Sequence, residues 1–189
     1  AGFRIKYSEG YNPHPVISIA LPLSVGTSSI CELMDFRLIT EEEEKTVAER
    51  INGMLPEGIH VLEVYPAERK TAELKWLKLD GRMEYDSLDP EQAALALREF
   101  FTQDTLVISK KSKRGFSDFD LIPAIQSLSF FPDPETRTVN LSITVSAQEP
   151  TFNPDLLCQA LRQKQQWLEP DFAAYTRIET YDANMHIFR

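Results

Sequence analysis

The chain has 189 residues, which suits one medium domain or two small ones, and its 42% hydrophobic and 26% charged residues are the balance of a folded globular protein. A formal net charge of -9 argues against a protein that coats nucleic acid over its whole surface, although a local basic patch still acts over about a Debye length, ~8–10 Å at physiological salt. Cys31 and Cys158 are too few and too far apart for a disulfide framework and fit a reducing cytoplasm; no apolar run approaches the ~20 residues of a membrane span, and Ala1 to Pro15 lacks the apolar core of a signal peptide.

Ala1-Gly2-Phe3 reads as the end of a helix with Gly2 as its C-cap, so the first elements are expected upstream. Val16–Leu23 predicts a strand, with Ile17, Ile19, Leu21 and Leu23 on one apolar face and Ser18, Ala20 and Pro22 on the other. Pro22 lacks a donor and puts that strand near an edge, and Gly26 permits the turn that follows. Ile30–Ile39 is apolar on both faces and predicts a central strand. Thr40 with Glu43 three residues later is a capping box, opening a helix that carries Val47, Ile51, Met54 and Leu55 and stops at Pro56 and Gly58. Glu41 to Glu44 read as the solvated start of that helix rather than an acidic binding tract. Ile59–Tyr65 predicts another strand, and polar Pro66–Lys75 marks a boundary between two halves.

Beyond the boundary, Leu77–Leu88 predicts a strand broken at Asp80-Gly81. Asp89-Pro90 is an N-cap followed by proline at the first helical position, and the helix runs to about Thr102 with Ala94, Leu97 and Phe101 on one face. Leu106–Lys110 predicts a strand, and Leu121–Leu128 fits either a short helix or a strand. Val139–Val145 predicts a strand after the turn at Pro132–Glu135. Asn153-Pro154 starts a helix with Leu157 and Leu161, and Tyr175–Tyr181 closes the pattern as a strand. The fold class is α+β: two tandem ferredoxin-like (βαββαβ) halves with antiparallel sheets, residues 1–66 and 74–189, the first half lacking its opening strand and helix.

Little in the sequence supports metal or phosphate-cradle chemistry. His14, His60 and His186 are scattered, no Cys-x-x-Cys or His-Glu-x-x-His occurs, and neither a glycine-rich phosphate loop nor a Gly-x-Ser-x-Gly elbow is present. No cofactor is expected. Two places stand out. In Tyr7–Pro15, YSEGYNPHP, Asn12 and His14 each precede a proline and are restricted to extended backbone, so the loop is pre-organised. Tyr7 and Tyr11 suit base stacking, and Arg4, Lys6 and His14 suit phosphate. The structural alternative is a rigid connector whose tyrosines cover the core. In the second place, Lys110, Lys111, Lys113 and Arg114 put four cations within five residues, either a phosphate-backbone footprint or a solvated hairpin tip. Asp118 and Asp120 follow at strand spacing, with ion pairing or an N-cap at Asp120 as their ordinary roles.

The stretch YSEGYNPHPVISIALPLSVG resembles the signature of the radical SAM-linked (radical SAM-associated) uncharacterised domain family, and the likeness continues at Glu32, Asp35, Leu55-Pro56-Glu57-Gly58, KKSKRGFSDFDLIPAI and Asn153-Pro154. That family usually begins with a strand and a helix bearing a Ser-His-Leu-Asp motif, a segment not found here. The resemblance implies a partner rather than a reaction: members are similar to proteins encoded beside, or fused to, cobalamin-binding radical SAM enzymes. The expected function is an accessory, RNA-binding substrate-recognition module for such an enzyme acting on RNA or a translation component. Two alternatives are an RNA-processing or RNA-modifying enzyme with His14 as acid/base, and a pure protein-interaction module.

Overall fold

The computed structural model describes residues 1–112 and 115–189, with the side chains of residues 111 and 112 also outside the description. The order is β1 (Ile17–Ala20), β2 (Thr27–Ser29), β3 (Leu33–Phe36), α1 (Glu44–Asn52), β4 (Trp76–Glu84), α2 (Pro90–Phe101), β5 (Val107–Ser112), β6 (Gly115–Asp120), β7 (Ile125–Asp133), β8 (Thr138–Ser146), α3 (Asp155–Lys164) and β9 (Phe172–Tyr181). The fold is mixed α+β. The chain divides into two units: Ala1–Pro22 with Glu32–Thr71 and Arg189, and Leu23–Cys31 with Ala72–Phe188.

The second unit is built on a five-stranded sheet of order β2-β9-β4-β8-β7. Its last four strands pair antiparallel throughout, with α2 between β4 and β7 in sequence and α3 between β8 and β9, which is the split βαβ arrangement. The periodicity explains the core. Leu77, Leu79 and Met83 of β4 share a face with Val139, Leu141, Ile143 and Val145 of β8, and all seven are buried. Ala93, Ala94 and Leu97 of α2 and Leu157, Ala160 and Leu161 of α3 are fully buried on the helical side. Each large side chain so removed from water contributes about 1.5–3 kcal/mol before the entropy cost of ordering it. α2 begins where its sequence says, with the Asp89 carboxylate accepting from the Gln92 amide at 3.0 Å and Pro90 in the first turn.

Several elements of this unit differ from expectation. β4 runs straight through Asp80-Gly81, because Gly81 is held between Leu141 of β8 and Tyr175 of β9. β2 is a strand the pattern did not suggest; it pairs parallel to β9, and the Ile30 amide donates to the Arg177 carbonyl at 3.0 Å. Residues 121–128 resolve as a 3-10 turn at Ile122–Ala124 and then β7. β5 and β6 form a separate antiparallel hairpin inserted between α2 and β7.

The first unit carries an antiparallel ribbon of β1 and β3, in register Ile17↔Phe36 and Ile19↔Met34. Where the ribbon opens, the extended segment Arg4–Tyr7 enters: the Val16 amide donates to the Lys6 carbonyl and the Lys6 amide to the Arg37 carbonyl, both at 2.8 Å. Arg50 of α1 anchors the chain start. Its guanidinium donates to the Ala1 carbonyl at 2.6 Å and lies 3.9 Å over the Phe3 ring.

Four expectations for this unit are corrected. The first strand spans Ile17–Ala20 alone, since Leu21 takes a positive φ of 52° and Pro22 follows; Ile17 and Ile19 are exposed rather than core. β3 has one partner strand and Met34 is exposed, so it is not a central strand. Thr40 does not cap α1. Ile39 is still bonded to the Arg4 carbonyl at 2.8 Å, and the helix starts later with Glu43 in the cap position and no side-chain cap. Finally, Ile59–Tyr65 forms no strand. Its Val61 backbone donor and acceptor are both satisfied by the Asn52 side-chain amide, at 2.7 and 3.1 Å, which stands in for a neighbouring strand.

Candidate functional site: an exposed proline-bracketed loop and a basic strand face

The Tyr7–Pro15 loop is closed at its base by an antiparallel bridge between Tyr7 and Pro15. The Ser8 amide donates to the His14 carbonyl at 2.8 Å, and the His14 amide donates back to Ser8 Oγ at 3.1 Å. His14 thus fixes the loop through its backbone and leaves its imidazole exposed. Gly10 takes a φ of 126°, a conformation other residues rarely adopt, and turns the chain at the tip. Tyr11 is fully exposed, Tyr7 is 55% exposed, and Asn12 is exposed. Neither tyrosine covers a core.

The pairing of Arg4–Tyr7 sorts its side chains. Ile5 bridges Leu38 in antiparallel register, which sets Lys6 opposite Arg37 and Arg4 opposite Ile39. Successive residues of a strand face opposite ways, so Arg4, Lys6 and Arg37 share one face and Tyr7 belongs to the other. All three cations are exposed, and among the described residues none has a carboxylate within ion-pair distance. Asp35 and Ser18 lie further along the same face. The grouping of Tyr7 with Lys6 expected from sequence is therefore split across the ribbon. Arg37 was missed, because the signal for it is its strand partner and not its neighbours in sequence.

The lysine-rich turn belongs to the β5–β6 hairpin of the second unit. Lys110 is half-buried, with Nζ 4.7 Å from the Phe119 ring centre and donating to the Thr151 carbonyl at 3.4 Å. Lys111 pairs with Phe116, whose ring is 74% exposed; the Lys111 side chain, Lys113 and Arg114 lie outside the described residues. α3 holds the hairpin by its Ser109 backbone: Gln163 exchanges two hydrogen bonds with it, both 2.9 Å, and Gln159 adds a third at 2.9 Å. The Asp120 carboxylate accepts from the Leu106 and Ile122 amides, while the cap position of the 3-10 turn is Leu121, so Asp120 is not its N-cap.

Leu55-Pro56-Glu57-Gly58 lines an open cavity of about 370 Å³ with Asn52, Ile59 and His60. In the second unit, Tyr175 Oη lies 3.3 Å from Cys158 Sγ. Burial pushes both groups above their ordinary values and keeps them protonated, so this pair is packing rather than a reactive centre. Among the described residues no group of three or more His, Cys, Asp or Glu is placed to hold a metal ion. No described helix is long and apolar enough to cross a membrane.

These features define a two-unit α+β protein with a split βαβ second unit and a rigid, exposed aromatic loop in the first. The chain belongs to the family described as "Uncharacterized protein conserved in bacteria (DUF2344)", which it matches over residues 1–154, from the chain start to the residue before α3. No curated protein and no solved structure matches it.

Proposed function

We propose that this protein is an accessory recognition module that binds RNA in the cytoplasm and presents it, or a translation component carrying it, to a radical SAM enzyme. The first unit then acts as a partial counterpart of the ferredoxin-like second unit. The radical SAM partner rests on the family resemblance of YSEGYNPHPVISIALPLSVG and the later motifs. The RNA ligand rests on one observation: Tyr11 is fully exposed, and Asn12 and His14 are exposed beside it, on a loop closed by two hydrogen bonds between Ser8 and the His14 backbone. A connector would not need an exposed aromatic on so ordered a backbone, whereas a base-stacking platform does, because pre-ordering lowers the entropy lost on binding. The half-buried Lys110 and its neighbours Lys111, Lys113 and Arg114 would supply a second, electrostatic contact.

The test is crosslinking in cells followed by recovery of the full-length protein. RNA together with a radical SAM protein is the expected result, and recovery of neither overturns the proposal. In vitro, affinity for structured RNA should fall steeply with salt. Tyr11→Ala should cost about 1–3 kcal/mol of binding, the range for one lost stacked base.

A further inference from the structure

Lys6 and Arg37 are neighbours where three extended segments meet, the Lys6 amide donating to the Arg37 carbonyl and the Arg37 amide to the Val16 carbonyl, and Arg4 follows Lys6 two residues along the same face. Opposed residues of an antiparallel pair have β-carbons about 4.5–5.5 Å apart, and two residues along a strand span about 6.6 Å. Like charges directly opposite are destabilising, so this arrangement costs the free protein stability. A chain carrying 29 acidic residues against 20 basic ones has ample carboxylates to neutralise such a cluster, yet none of the three cations is ion-paired among the described residues. Asp35, on the same face beyond Arg37, offsets one of the three charges, leaving the row cationic. The cation face also carries Val16, Ala20, Leu33 and Ile39, but the two faces of this ribbon differ in charge. Ile5, Tyr7, Ile17, Ile19, Met34, Phe36 and Leu38 fall on the other side, so the charges are gathered on one surface rather than scattered.

We infer that the Arg4–Lys6–Arg37 face is a binding site for a chain of phosphates, with Arg37 and Lys6 straddling one phosphate and Arg4 meeting the next. Arg37 faces Lys6 across the strands and Arg4 lies about 6.6 Å along from Lys6, so the Lys6–Arg37 pair and Arg4 offer two separate contact points, which suits two linked phosphates better than a single compact anion. Its identification with an RNA backbone rests on the proposed function; inorganic polyphosphate offers the same chemistry and is the second source to test.

The experiment compares the wild-type chain with the triple variant Arg4→Gln, Lys6→Gln, Arg37→Gln, using fluorescent oligouridylate across a salt series, and inorganic polyphosphate by its effect on the thermal midpoint. Oligouridylate binding should weaken about tenfold or more in the variant. The slope of log K against log salt should become shallower by about 1.4, at about 0.7 for each of the two single-strand phosphates no longer neutralised. Lys6→Gln alone, without ligand, should leave the midpoint unchanged or raise it, because it removes the opposed pair; a fall would mean a structural role for Lys6 and count against the inference. Equal affinity and equal salt slope for wild type and triple variant would overturn the inference while leaving RNA binding elsewhere on the protein intact. Polyphosphate raising the midpoint of the wild type but not of the variant, without oligouridylate binding, would keep the phosphate site and sink the RNA reading. Neither ligand binding the wild type would overturn both.

Discussion

The ring of Tyr175 occupies the space a β-carbon on Gly81 would fill: that carbon would lie 2.8 Å from Tyr175 Cδ1 and 3.1 Å from Leu141 Cγ. The two residues are register partners on neighbouring strands, and Tyr175 is buried, so its ring has nowhere cheap to move. Gly81→Ala should therefore destabilise the second unit by about 1–3 kcal/mol, the usual cost of forcing an extra methyl into a packed core. Urea unfolding checks this. A stability equal to wild type would mean that the ring repacks freely.

The same cluster sets a pH limit. Cys158, Tyr85 and Tyr175 are all raised above their ordinary values, each chiefly by burial. Each binds its proton more tightly folded than unfolded, so the stability they contribute is fully present below the ordinary thiol value of 9.0 and tyrosine value of 10.0. It is lost as pH rises above those values toward the folded ones. Stability should begin to fall above about pH 9, and tyrosinate absorbance from Tyr85 and Tyr175 should appear together with unfolding rather than before it. Cys158→Ala should bring Tyr175 down, since it removes the hydrogen bond and the thiolate charge that forms at high pH, both of which add to the larger effect of burial.

Gln163 serves the β5–β6 hairpin as a strand would, both giving to and taking from the Ser109 backbone. Gln163→Ala removes both bonds and leaves one from Gln159. The Ser109 amide should exchange with solvent much faster, while global stability falls by only about 1 kcal/mol per bond lost, because the site is exposed. Amide hydrogen exchange resolves the two effects. Unchanged protection at Ser109 would show that the hairpin is held by other contacts.

The Tyr7–Pro15 loop should respond to Ser8 more than to any of its exposed side chains. Ser8→Ala deletes the acceptor for the His14 amide, at a cost of about 0.5–1.5 kcal/mol to the loop's closed form. If the loop is the recognition element, RNA affinity should fall while His14→Ala leaves the loop's exchange protection unchanged, because His14 closes it through its backbone. Loss of protection in His14→Ala would assign the imidazole a structural role.

Composition and period were enough to reach the α+β class, the alternation of strands and helices in the second unit, the Asp89-Pro90 helix start and the turn at Asp133. All of these rest on signals within a few residues of one another: side-chain alternation, caps, and turn-forming residues. The loop's stiffness was legible for the same reason, since a proline restricts itself and the residue before it.

What needed the tertiary structure was every feature set by a distant partner. Gly81 reads as a strand break until Tyr175, far along the chain, is seen to need its missing side chain. Thr40 reads as a cap until Ile39 is found still bonded to Arg4, and Ile59–Tyr65 reads as a strand until Asn52 takes the bonds at Val61. The row of Arg4, Lys6 and Arg37 exists only because an extended segment enters the mouth of a ribbon formed by residues far beyond it in sequence. Local chemistry, the proline-restricted loop and the periodicities are written in single segments; pairing settles which cations meet, because strand register is a relation between segments that no single segment encodes.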